Sequence, residues 1–247
     1  MKRNAILDIF TIANVRKVKM LTSYTANVAR LTQEIADILL VGDSLGMVLY
    51  NMPSTHGVTL EMMINHTKAV SSVSGKAMIV SDMPFGTFEI SKEQAFENAS
   101  KLIIAGANAV KIEGGKEIAQ TVIFLVERGI PVVGHVGLMP QKVNIIGGYK
   151  KIHSIDFVLD SFKAVYEAGA FAIVLENIST EITNKIADQF PQSLTIGIGA
   201  GTNCKGHVAV FEDLLNLSTE NIPPFSRVVL DVKQNAQSLI EEYFNRI

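Results

Sequence analysis

The sequence predicts an α/β protein built as a single (βα)8 TIM-type barrel over residues 1–247. Three observations carry that expectation. The chain has 247 residues, close to the roughly 250 of a complete barrel of this kind. Short β-branched apolar runs alternate along it with longer segments of helical period. Acidic and basic residues fall just after those runs, where a barrel places its chemistry. Hydrophobic residues make up 48%, enough for one large core and too many for a disordered chain.

The strand expectations, in order, are Val18–Thr22, Ile38–Val41, Ala77–Val80, Ala109–Ile112, Pro131–Gly134, Phe171–Leu175, Leu194–Ile198 and Val208–Phe211. Helical spacing fills the gaps at Leu60–Ser72, Lys92–Ala105, Glu117–Arg128, Phe157–Ala168 and Thr180–Phe190. Strand and helix in repeated alternation imply a parallel sheet, and eight repeats imply closure. Ser91 with Gln94 reads as a capping box. Gly106, Gly129 and Gly169 sit where helices should stop. Met62 and Met63 read as helix packing.

A formal net charge of -2 gives no electrostatic footprint for nucleic acid or an anionic membrane. Cys204 is the only cysteine, so no intrachain disulfide forms and a reducing compartment is favoured. The opening Met1-Lys2-Arg3 is basic, but Asp8 and Asn14 interrupt the apolar stretch that follows. No apolar run approaches the roughly 20 residues of a membrane span. A cytoplasmic protein is expected.

The polar residues after the strands are specific. Strand two leads into Gly42-Asp43-Ser44, strand three into Ser81-Asp82-Met83-Pro84, and strand four carries Lys111 and Glu113. Strand five leads into His135 and strand six into Glu176. Lys111 and Glu113, two apart, share a face of their strand. Acids gathered at one mouth are costly unless neutralised, and a hard divalent cation such as Mg2+ takes one or two carboxylates with substrate and water. Singly, each has a plainer reading: Asp43 and Asp82 as turn caps, Lys111 with Glu113 as an ion pair, His135 as a satisfied core residue, Glu176 as a loop acid. Their placement after five consecutive strands favours a functional cluster. The run Gly197-Ile198-Gly199-Ala200-Gly201 does not fit a dinucleotide fingerprint. It reads as a tight turn that lets substrate approach the backbone, or as a phosphate loop.

These motifs resemble the ketopantoate hydroxymethyltransferase family. The matching stretches include Leu40-Val41-Gly42-Asp43-Ser44-Leu45-Gly46-Met47, His66-Thr67-Lys68-Ala69-Val70, Asp82-Met83-Pro84-Phe85-Gly86 and Val110-Lys111-Ile112-Glu113-Gly114-Gly115. They continue, in order, through Gly134-His135-Val136-Gly137-Leu138, Pro140-Gln141, Gly147-Gly148-Tyr149-Lys150 and Val174-Leu175-Glu176 to the glycine run. The resemblance implies transfer of a hydroxymethyl group from 5,10-methylenetetrahydrofolate to 3-methyl-2-oxobutanoate, through a Mg2+-stabilised enolate, in pantothenate biosynthesis. It implies Asp43, Asp82 and Glu113 as Mg2+ ligands, Asp43, Ser44, Asp82 and Lys111 as keto-acid contacts, and Glu176 as proton acceptor. It also implies a homodecamer. The chain departs from the family pattern at Thr25, at Met139, in a shortened loop after Lys150, and at Lys205-Gly206-His207. Two rival expectations are a Mg2+-dependent keto-acid lyase or mutase barrel and a barrel that has lost catalysis.

Overall fold

A computed structural model describes residues 3–73, 75–218 and 222–246; Met1 and Lys2 of the basic opening lie outside them. The first half runs α1 (Ile6–Val15), β1 (Val18–Thr22), α2 (Ala26–Thr32), β2 (Ile38–Val41), α3 (Leu45–Val48), α4 (Leu60–Ser71), β3 (Met78–Asp82), α5 (Lys92–Ile104), β4 (Ala109–Glu113) and α6 (Ala119–Glu127). The second half runs β5 (Val132–Gly137), α7 (Val143–Ile146), α8 (Ile155–Glu167), β6 (Ala172–Glu176), α9 (Thr180–Gln189), β7 (Thr195–Ile198), β8 (Gly206–Ala209), α10 (Phe211–Leu214) and α11 (Val232–Asn245). The eight strands pair in parallel and in sequence order, and β8 returns to β1 to close the barrel. The expected fold class is the observed one.

Alternation along the strands sorts two cores. Inward-facing Val18, Met20, Ile38, Leu40, Met78, Val80, Val133, Val174 and Ile196 pack together inside the barrel, because successive residues of a strand point to opposite faces. Helix α1 plugs the floor, with Ile9 fully buried among them and Phe10 packed alongside. Outward-facing Leu39, Val41, Ile79, Val110, Ile112, Ile173 and Leu175 meet the helices in the second core. Met63 is fully buried there and Met62 packs on its edge, as their helical spacing requires.

Several boundaries move for local reasons. Strand β8 begins at Gly206 rather than Val208, and Phe211 already opens a helix. At Gly206 a Cβ would lie 3.0 Å from the Val18 carbonyl oxygen, so glycine enters the ladder where a β-branched residue would not fit. A 3-10 turn at Lys116–Ile118 precedes α6, so the expected helix starts later than Glu117. Ser91 caps α5 by accepting from the Gln94 N–H, but Gln94 returns its side-chain oxygen to the Ile90 N–H, one residue earlier than a capping box requires. No helix separates β7 from β8; the seven residues from Gly199 to Lys205 join them directly. Among the described residues no helix is long and apolar enough to cross a membrane.

Candidate active site

The same alternation that fills the barrel floor with Val80, Ala109, Val133 and Val174 brings Asp82, Lys111, Glu113, His135 and Glu176 inward at its C-terminal mouth. Asp43 joins them from the turn after β2, and its N–H donates to Asp82 Oδ2 at 3.1 Å. Lys111 is the hub. Its Nζ lies 3.2 Å from Asp82 Oδ2, 3.6 Å from Glu113 Oε1 and 3.2 Å from His135 Nδ1. His135 Nδ1 stands 3.1 Å from Glu113 Oε1. On the far side of the ring, Nε2 lies 3.3 Å from Glu176 Oε2 but forms no aligned hydrogen bond. Ser44 Oγ shares a 2.8 Å hydrogen bond with the Tyr24 hydroxyl.

The plain ion pair expected of Lys111 with Glu113 is present at 3.6 Å, but the plainer readings of Asp43, His135 and Glu176 do not describe those groups. The Asp43 carboxylate accepts from Gln141 Nε2 at 2.8 Å rather than capping a turn. His135 is only 3% exposed and its Nε2 has no hydrogen-bond partner, so it is not a satisfied core residue. The Glu176 side chain is 16% exposed, at the inner wall of the cavity and not on a solvent loop.

Electrostatics set these groups against one another. Burial, and then the charges of Asp82 and Glu113, hold the Asp43 carboxyl well above the usual carboxylate range. Burial also raises Asp82, with Lys111 opposing. For Glu113 the cost of burial is overcome by His135 and Lys111, and its pKa falls below the ordinary value. His135 loses by burial and by the nearness of Lys111, yet Glu113 and Glu176 carry its pKa up to about 9. Four carboxyl groups thus share one mouth with Lys111 and His135, and burial sets the acids against one another.

The residues fit a cation held by two carboxylates. Asp82 Oδ1 is buried with no partner, and Asp43 is bonded through Oδ2. Each acid therefore keeps an oxygen uncommitted. Glu113 differs: Oε1 faces His135 and Oε2 accepts the Gln141 N–H at 3.0 Å. Among the described residues no three His, Cys, Asp or Glu side chains form a ready metal cluster.

The mouth opens on a cavity of about 1030 Å3 whose walls include Asp43, Lys111, His135, Tyr149, Glu176 and Phe225. Sequence reasoning passed over three residues here. Gln141 bonds two of the acids. Tyr149 stands over the mouth, its hydroxyl pKa raised by burial and by Asp43, Glu176 and Glu113. Phe225 packs beside the glycine run, where a Cβ at Gly199 would meet its ring at 2.8 Å. The Pro140-Gln141 and Gly147-Gly148-Tyr149 motifs were the available signals. The glycine run is a tight turn, with Gly199 at φ +62° and Gly201 at φ +76°. What comes close to it is the protein itself, since Thr180 faces Gly201 as Phe225 faces Gly199.

The departures divide by location. Thr25 caps α2 by accepting the Val28 N–H. Lys205 and His207 lie at the floor end of β8, away from the mouth, with Lys205 Nζ on the Pro191 carbonyl. The shortened loop is tied to the segment after β6 through an Ile152–Ile178 bridge.

A parallel barrel with paired carboxylates, a buried lysine and a buried histidine at its C-terminal mouth defines an enzyme of the (βα)8 class. The chain belongs to the ketopantoate hydroxymethyltransferase family, whose model matches residues 4–247. It is 48% identical over 231 residues to 3-methyl-2-oxobutanoate hydroxymethyltransferase of Paracoccus denitrificans, covering 92% of this chain and 83% of that protein. It is 44% identical over 253 residues to 3-methyl-2-oxobutanoate hydroxymethyltransferase 1 of Pseudomonas aeruginosa, covering 99% of this chain and 92% of that one. Among solved structures, phosphoenolpyruvate phosphomutase from Streptomyces platensis subsp. rosaceus superposes with a TM-score of 0.69 at 12% identity, over 97% of this chain and 88% of that one. Phosphonopyruvate hydrolase gives 0.66 at 14%, over 100% and 87%. At such identities the likeness is one of fold, and the lyase and mutase expectation gains nothing more from it.

Proposed function

We propose that this chain transfers a hydroxymethyl group from 5,10-methylenetetrahydrofolate to 3-methyl-2-oxobutanoate, giving 2-dehydropantoate for pantothenate biosynthesis. The observation that carries the reading is the grouping of Lys111 with Asp82, Glu113 and His135 at the cavity wall, with Glu176 beside His135. Ser44 and Lys111 bind and orient the keto acid. Lys111 keeps a positive charge where the carbonyl oxygen gains electrons as C3 loses its proton. Glu176 accepts that proton, and His135, at 3.3 Å, holds the carboxylate in place through charge. Asp43 and Asp82 would hold Mg2+, with Glu113 acting through water. When bound, the cation supplies Lewis-acid stabilisation of developing oxygen charge. The C3 carbanion equivalent then bonds to the methylene carbon and water gives that carbon its hydroxyl, as the two carbon–nitrogen bonds to the folate break; the proton taken from C3 and one from water end on those nitrogens, and tetrahydrofolate leaves.

The cavity of about 1030 Å3 exceeds what a five-carbon keto acid needs, which supports a second, larger co-substrate at the same mouth. A cytoplasmic homodecamer is part of the proposal on the strength of the family.

The test is an assay of folate-dependent turnover with Mg2+, beside proton NMR of the keto acid in deuterated water. Turnover with both substrates is expected, with C3 exchange even when folate is left out. Absence of turnover with both substrates and Mg2+ would overturn the reading and favour a barrel without catalysis.

A further inference from the structure

The acids of the mouth come from four strand ends, and one residue that is not an acid reaches three of them. Gln141 lies in a 3-10 turn (Pro140–Lys142) after β5 and is 4% exposed. Its main-chain N–H donates to Glu113 Oε2 at 3.0 Å, after β4. Its side-chain Nε2 donates to Asp43 Oδ2 at 2.8 Å, after β2, and to the Met83 carbonyl at 3.0 Å, next to Asp82 after β3. Both hydrogens of the amide nitrogen are thereby used. Its own carbonyl accepts from His56 Nε2 at 2.8 Å, so the turn is braced from behind. Oε1 is buried without a partner.

This pattern sorts the acids. A neutral donor occupies Oδ2 of Asp43 and leaves its other oxygen outside that bond, while Asp82 Oδ1 has no partner. The same residue occupies Oε2 of Glu113 and leaves Oε1 to His135 and Lys111. A buried amide with one oxygen unsatisfied is destabilising as a packing element. Its retention at a junction of three strand ends is the mark of a group whose donors are needed.

We infer that Gln141 is a positioning residue that fixes which oxygen of Asp43 is offered to a divalent cation and keeps the Glu113 carboxylate turned to the protein. The inference rests on the function proposed above. In this role Gln141 would touch neither the keto acid nor the cation. It acts through the carboxylates, as partners that orient metal-binding side chains do.

The experiment compares the full-length wild type with Gln141→Met, which preserves volume and the main-chain N–H but removes both side-chain donors. Mg2+ binding is read by titration calorimetry without substrate, folding by thermal melting, and kcat and KM separately. Loss of an orienting partner typically costs about 10–100-fold in metal affinity, so Mg2+ binding should weaken by that factor. The kcat should fall at fixed Mg2+ and recover as Mg2+ is raised, while the melting transition stays cooperative. A merely structural role would lower the melting temperature without that Mg2+ rescue. If Gln141→Met does not fold, Gln141→Asn decides: its amide falls a methylene short of Asp43, and the same weakening is expected. Wild-type Mg2+ affinity in whichever variant folds overturns the inference and leaves the proposed function standing. A wild type that takes up no Mg2+ overturns both, which distinguishes the two failures.

Discussion

The two ends of this barrel are made by the same eight strands and treat charge in opposite ways. At the floor, Asp37 receives both guanidinium nitrogens of Arg16 at 2.7 Å and the Lys19 N–H at 2.8 Å. Its carboxyl is penalised by burial but held below the usual range by Arg16 and Lys19. Around it, Ile9 and Phe10 of α1 close an apolar plug. At the mouth, Asp82 Oδ1, Gln141 Oε1 and His135 Nε2 are buried without a hydrogen bond, and Asp43 and Asp82 are pushed toward protonation. The floor has its charges satisfied by protein. The mouth leaves valences open, as a surface built to receive other atoms must. That is the difference between an end that stabilises the barrel and one that acts.

The largest expected effect would break the comparison outright. Glu176→Gln keeps the shape of the side chain and removes its basicity, so C3 exchange of 3-methyl-2-oxobutanoate should fall by on the order of 100-fold or more. Lys111→Ala should slow the same exchange through lost charge stabilisation. Normal exchange in Glu176→Gln, followed by NMR, would remove Glu176 from the role of base.

A smaller effect concerns stability at the mouth. The folded-state pKa of Asp43 is raised by burial first and neighbouring acids second. An acid shifted this way favours the folded state fully below its unfolded pKa, and that advantage is lost as pH rises through the folded value. Asp43→Asn should therefore stabilise the Mg2+-free protein at neutral pH, by about 1–2 kcal/mol on the scale of relieved active-site strain, while turnover collapses. Chemical denaturation at pH 5 and pH 8 checks it; a stabilisation that fails to grow with pH would show that the mouth is not strained in this way.

The smallest effect is at the floor, with the opposite sign. Asp37 has a depressed pKa, so its contribution is present above the unfolded value near 4 and vanishes as pH falls through the folded one. Asp37→Asn should cost about 1 kcal/mol at neutral pH, discounted because the Arg16 side chain is 45% exposed. The difference from wild type should close as pH falls below the depressed folded value, and turnover should be untouched. Loss of activity without loss of stability would mean that the two ends are coupled.

Much of this contrast was legible in the sequence, because period-two alternation carries side-chain direction with it. Strands β1 and β2 fall on their expected bounds, Val18–Thr22 and Ile38–Val41. Asp82, Lys111, Glu113, His135 and Glu176 converge because each sits at an inward position near the end of its strand. Pro140-Gln141 stood out as a motif, but the bonds of Gln141 were not legible: they depend on how a 3-10 turn aims one N–H and one amide across 28 and 98 residues of chain. The missing helix between β7 and β8 was hidden for a similar reason, since apolar periodicity marks both strands but says nothing about what joins them. The start of β8 was obscured because Gly206 enters the ladder for want of a side chain.

The contact of Phe225 with the turn at Gly199 carries a further consequence. Pro223, Pro224, Phe225 and Ser226 help to wall the cavity, and Ser226 donates to Asp213 at 3.0 Å. The stretch that leads into α11 is therefore both tether and doorframe: what pulls on the helix at the far end of the chain pulls on the entrance. A bulky fusion after Asn245 would be felt first as a change in how substrates enter, before any strand of the barrel gave way.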